Sequence, residues 1–116
     1  LNYYQFHLGD FHGATKHLTR AERGVYRDLL DLYYQTEAAL PADIKTTARL
    51  ACCADAPALV EAILREFFVM SEDGWRNMRC DKEIQRVQEW LAKSARGGKA
   101  SAAARQRGKF SIVKGG

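Results

Sequence analysis

The apolar residues of this chain follow helix period in two long regions, and between them they switch to strand period once. The switch falls in "FFVMSEDGWRNMR", residues 67–79, where two β-type runs flank Glu72-Asp73-Gly74. Asp-Gly between such runs is a strong hairpin signal, because both residues tolerate the backbone of a tight turn. Two strands cannot stand alone in water, so this hairpin must pack on the helices around it. The class expected is therefore α+β.

The helices before the hairpin can be placed in order. "LNYYQFHLGDF" reads as a short extended segment, then a turn or short helix around Asp10–His17. "LTRAERGVYRDLLDLYYQTEAAL" carries the strongest helix. Thr19 and Glu22 make a capping box, with Leu18 as the staple residue. Val25, Tyr26, Leu29, Leu32 and Tyr33 then share one face. This helix should fade before "LPAD", where Pro41 forces the preceding residue out of helical geometry. Asp43 caps a short helix from Ile44 to about Cys52. Asp55 is the expected cap of the next, with Pro57 in its first turn and its end near Glu66. Leu59, Val60, Ile63, Leu64 and Phe67 give that helix its apolar face.

Two short helices across a tight turn outline a helix-turn-helix. After the hairpin, "CDKEIQRVQEWLAKSAR" returns to helix period through Ile84, Val87 and Leu91, and Gly97-Gly98 should end it. Three helices, a hairpin and a last helix are the layout of a winged helix, with the hairpin as wing. The expected division is a winged-helix domain over residues 1–90 and a basic C-terminal extension over 91–116.

Charge divides the chain at nearly the same place. Residues 1–90 hold all 14 acidic residues and 11 of the 18 lysines and arginines, a formal −3; residues 91–116 hold the other seven cations and no acid, a formal +7. A basic arm on a mildly acidic body points to a polyanionic partner.

The blocks "YYQFHLGDF", "HLTRAERGVYRDLLDLYY", "LPAD" and "FF…DGWRNMRCDKEI" occur in that order. Together they resemble the YdaU-like family of prophage proteins, over roughly residues 2–90. The position after Tyr4, often proline in such sequences, is Gln5 here, a departure that touches only a local turn. The resemblance implies a winged-helix fold and a part in phage DNA replication, beside a helicase or helicase loader. It implies no catalytic residues.

The candidate nucleic-acid contacts follow from residue type. The helix in the recognition position, Ala56–Glu66, offers Glu61, Arg65 and Glu66 outward with Asp55 at its start, so it is ill-suited to reading base edges. The wing is better supplied: alternation puts Arg76 on one face and Asn77 with Arg79 on the other. Pairing of these arginines with nearby acids fits equally well. Lys45 and Arg49, at i and i+4 on the first short helix, are placed to touch backbone phosphates, and equally to be solvated. Arg20, Arg23 and Arg27 read first as a solvated face, with Arg27 paired to Asp31. In the arm, Lys93, Arg96, Lys99, Arg105, Arg107, Lys109 and Lys114 alternate with Gly, Ala and Ser, and suit phosphate contact by counterion release. A solubilising tail is the plain alternative. "FSIV", residues 110–113, is a candidate docking peptide. Trp90 is the aromatic residue expected to be exposed, marking a protein interface. Three readings remain open: a replication accessory protein that binds DNA through its backbone, a protein–protein adaptor for a helicase or loader, and a transcriptional regulator. The last would need paired half-sites and a two-fold dimer.

No enzyme is expected. His7, His12 and His17 recur every five residues, off any single helix face; the serines at 71, 94, 101 and 111 lie in the hairpin or the arm. No Gly-rich phosphate loop follows a strand. Cys52 and Cys53 are adjacent, Cys80 is alone, and no C-x-x-C exists, so reduced thiols and no metal or cofactor are expected. No apolar run reaches the ~18 residues of a membrane span. With no signal-peptide pattern, a cytoplasmic protein is expected.

Overall fold

The computed structural model describes residue 1 and residues 5–108, with side chains as far as residue 97. Five helices and one antiparallel hairpin lie among the described residues: α1 (Leu8–Thr15), α2 (Arg20–Thr36), α3 (Ile44–Leu50), α4 (Pro57–Phe67), β1 (Val69–Ser71), β2 (Gly74–Arg76) and α5 (Met78–Gly108). The chain forms two compact units, Leu1–Ile84 and Gln85–Gly116. No helix among the described residues is long and apolar enough to cross a membrane.

Helix α2 starts as its sequence dictates. Thr19 Oγ1 accepts from the Glu22 amide at 3.1 Å, and the Glu22 carboxylate accepts from the Thr19 amide at 2.8 Å. Val25, Leu29, Leu32 and Tyr33 are buried along its inner face, with Tyr34 beside them. Tyr26 is half-buried and stacks on Phe67 at 4.1 Å and on Phe11 at 5.6 Å. These stacks hold α1, which has two glycines and no side-chain N-cap, against the core.

Helix α3 is capped by Asp43, which accepts from the Thr46 amide at 2.9 Å and its hydroxyl at 2.6 Å. Those bonds hold the Asp43 carboxyl below its ordinary range, and the Thr19 backbone bond does the same for Glu22. A lowered folded-state value means that both caps stabilise the fold at neutral pH and lose that effect as acid protonates them.

The α3–α4 turn is a Schellman motif. The Cys53 amide donates to Ala48 O at 2.7 Å and the Cys52 amide to Arg49 O at 3.2 Å, with Cys52 in the left-handed region at φ 62°. Helix α4 then begins at Pro57, and its N-cap is Ala56, with no side-chain bond; the expected Asp55 cap is not used. Proline at N1 already removes one of the orphan amides that a cap would serve. Val60, Ile63 and Leu64 are buried, and α4 packs on both α2 and α3.

The hairpin pairs Val69 with Arg76, Met70 with Trp75 and Ser71 with Gly74. Gly74 is therefore the first residue of β2, and the loop is Glu72-Asp73. Trp75 makes a second pairing with Leu40, through Leu40 N to Trp75 O at 2.9 Å and Trp75 N to Leu40 O at 2.8 Å. Leu40 sits before Pro41, which restricts it to the extended region that such a bridge needs.

Helix α5 differs from expectation at both ends. It starts at Met78 rather than near Cys80, and it runs through Gly97-Gly98 to Gly108. Each glycine costs about 1 kcal/mol, but the flanking segments are rich in Ala, Lys, Arg and Gln, which carry the helix across. No proline follows the glycines to halt it.

All three cysteines are free thiols, with Cys52 exposed and Cys53 and Cys80 buried. Burial and the bond to Asp28 push the Cys53 thiol up to about 12, and burial pushes Cys80 up to about 11. Thiolate is the reactive form. Ellman's reagent at pH 8 is therefore expected to titrate one thiol rapidly in the native protein and the other two only after unfolding. Rapid titration of more than one would contradict this burial.

Candidate nucleic-acid interface

The wing does not present its polar residues as a free row. Arg76 Nη2 lies 3.3 Å from Asp73 and Nη1 3.4 Å from Asp81, and both acids raise its pKa further. Arg79 is paired with Asp10 across to α1. Asn77 departs most from its expected role. It is buried, its Oδ1 accepts from the Cys80 amide at 3.0 Å, and its Nδ2 donates to Phe67 O at 3.2 Å. It is the N-cap of α5, tying that helix to the end of α4. The strand alternation that would have exposed Asn77 and Arg79 ends at Arg76, because the helix begins two residues later.

A network under this corner was not legible in sequence. The Tyr33 hydroxyl donates to Asp81 at 2.5 Å and accepts from the Asn77 amide at 3.3 Å. Burial and the Asp81 bond raise its pKa. Tyr33 lies on the apolar face of α2, and no spacing rule relates it to residues 44 and 48 positions away.

Asn77→Ala is accordingly a stability variant. It removes a helix cap and leaves a half-buried Phe67 carbonyl without its amide partner, a cost of about 1–2 kcal/mol. Thermal melting should show the loss, while DNA affinity of the folded variant stays at the parent value. A selective loss of affinity at unchanged melting temperature would return Asn77 to the contact surface.

The charged residues on the outer face of α4 all have partners. Arg65 lies 2.8 Å from Glu61, and Glu66 pairs with His17. Arg27 is paired with Asp31 at 3.4 Å and sits over the Phe6 ring at 3.9 Å. Lys45 and Arg49 contrast with these. Both are exposed on α3, and neither has an ion-pair partner among the described residues. Both help to lower the pKa of the Asp43 cap, after its bonds to Thr46.

The second unit has its own open surface. Trp90 is 63% exposed and Leu91 49%, and Lys93 and Arg96 are exposed without an ion pair among the described residues. Lys99, Arg105 and Arg107 fall within α5, where side chains are not described. Lys109, Lys114, the "FSIV" segment, Tyr3 and Tyr4 lie outside the described residues.

Residues 2–85 match a family described as "Protein of unknown function (DUF1376)". The chain belongs to that family. The match covers the first unit almost entirely and stops just inside the second, so DUF1376 corresponds to the α1–α4 body, the hairpin and the first turns of α5. No curated protein and no solved structure matches the chain. Among the described residues, no cluster of three or more His, Cys, Asp or Glu is placed to hold a metal ion.

Proposed function

We propose that this chain is a winged-helix DNA-binding accessory protein of prophage replication, of the YdaU-like kind, acting in the cytoplasm. It grips the phosphate backbone and does not read bases. The observation that carries this reading is charge segregation: residues 91–116 bring seven cations and no acid to a body of formal charge −3. The order of helices and hairpin supports the winged helix. So does the Leu40–Trp75 bridge, which adds a third extended segment between α2 and α3. Such a domain usually reads bases with its second short helix. Here Glu61 and Glu66 would face the phosphates, so Lys45 and Arg49 on α3 are the contacts within the body.

Fluorescence anisotropy of the full chain on labelled single- and double-stranded DNA, across a salt series, tests the reading. Binding that weakens steeply with salt and tolerates sequence changes supports it. No binding at low salt rejects it.

A second reading, a protein–protein adaptor for a replicative helicase or its loader, is favoured by the exposed Trp90 and Leu91. An aromatic anchor of this kind is enriched at interfaces. It becomes the stronger reading if the full chain fails to bind DNA while Trp90→Ala abolishes capture of a purified helicase or loader.

A further inference from the structure

We propose that the depression between α1 and the start of α2 is a phosphate-binding site. His12, Thr15, Lys16 and Arg23 line it, and it is open to solvent. His12 and Lys16 are four residues apart on and just beyond α1, which puts them on one face. Arg23 joins them from the first turn of α2. Its Nη1 donates to Leu18 O at 3.1 Å, which steadies the guanidinium and leaves its other N–H groups for a ligand.

The cations around the depression are unpaired among the described residues, as Lys45 and Arg49 on α3 are, and unlike four arginines elsewhere on the body. Arg27, Arg65, Arg76 and Arg79 each lie against a carboxylate. Lys16 and Arg23 have no ion pair among the described residues, and no carboxylate is among the lining groups. Glu22, next to Arg23 in sequence, is committed to the Thr19 amide. Two cations and an imidazole thus line one depression that no carboxylate lines. Guanidinium and ammonium donors arranged in this way suit the oxygens of a phosphate group. The depression is open to solvent, so the phosphate it takes belongs either to a nucleic-acid strand or to a free nucleotide.

The site uses none of the arm's cations, so it stands or falls independently of the DNA-binding reading. Its test is an NMR titration of the ¹⁵N-labelled full chain with inorganic phosphate at constant ionic strength. Saturable shifts confined to residues around His12, Thr15, Lys16 and Arg23 are expected. Lys16→Gln, at an exposed position, should weaken phosphate binding about tenfold, the worth of one charged hydrogen bond. Arg23→Gln should do the same, and it also removes the bond to Leu18 O, which Lys16→Gln leaves intact. Competition by adenosine monophosphate and by oligothymidylate then identifies the source, and either winner supports the site. Shifts that never saturate, shifts spread over exposed lysines generally, or an unchanged affinity in Lys16→Gln would overturn it; the cations would then serve only the carboxyl end of α1. Phosphate binding here together with no salt-dependent DNA binding would keep the site and reject the DNA reading.

Discussion

Replacing Lys93, Arg96, Lys99, Arg105, Arg107 and Lys109 together by glutamine should flatten the salt dependence of DNA binding. On duplex DNA each neutralised phosphate contributes about −0.9 to the slope of log affinity against log salt, so six contacts contribute about −5. The parent protein is then expected to lose roughly a thousandfold in affinity between 50 and 200 mM salt. The variant should lose only what Lys45, Arg49 and other body cations contribute, and it should already bind far more weakly at 50 mM. Glutamine is nearly as good a helix former as lysine or arginine, so α5 should keep its length, and far-UV circular dichroism would verify that. An unchanged slope would mean that the arm does not touch phosphates. The exposed Trp90 and Leu91 would then be the features of the second unit left to explain, and the adaptor reading would take precedence.

What the sequence showed clearly was local chemistry. The Thr19–Glu22 box, the Asp43 cap, the apolar faces of α2 and α4 and the Asp-Gly marker each depend on residues within a few positions of one another. What it hid was long-range pairing. Arg79 meets Asp10, and Asn77 meets Phe67 and Cys80, because the body folds the start of α5 against α1 and α4. A polar residue beside a strand therefore looked like a surface contact when it was a buried cap. The reach of α5 is hidden for another reason. Two glycines usually signal a stop, yet a stop needs a capping partner, and an Ala-rich, Lys/Arg-rich flank outweighs two unfavourable residues. The His12–Lys16–Arg23 cluster carries no motif that marks it in sequence. The first two share a helix face by spacing, but only the packing of α1 on α2 adds the third.

Gly74→Ala should strongly destabilise the body. Gly74 has φ of +125°, a conformation that side chains other than glycine rarely adopt. A Cβ built there would lie 2.1 Å from Leu40 O and 3.1 Å from Leu40 C. Those are backbone atoms, so no side chain can rotate away to relieve the contact. Either β2 or the Leu40 segment must move, and either movement breaks the two hydrogen bonds that join Leu40 to Trp75. Trp75 is buried and its indole N–H points to Ala42 O at 3.4 Å, so the core shifts with it. Backbone strain of about 1–3 kcal/mol and overpacking of a similar size together give about 3 kcal/mol or more. For a domain of this size that corresponds to a fall of roughly 15 °C in melting temperature. Gly24→Ala is the control. Gly24 lies inside α2 with nothing within 4 Å of an added Cβ, so alanine there should stabilise by about 0.5–1 kcal/mol. Amide exchange at Leu40 and Trp75 gives an independent readout, since both should lose protection in Gly74→Ala while α2 keeps its own below the melting transition. A Gly74→Ala protein that melts within a few degrees of the parent, with Leu40 still protected, would show that the extended segment between α2 and α3 does not lie against the hairpin. The winged-helix reading would then lose the pairing that supports it.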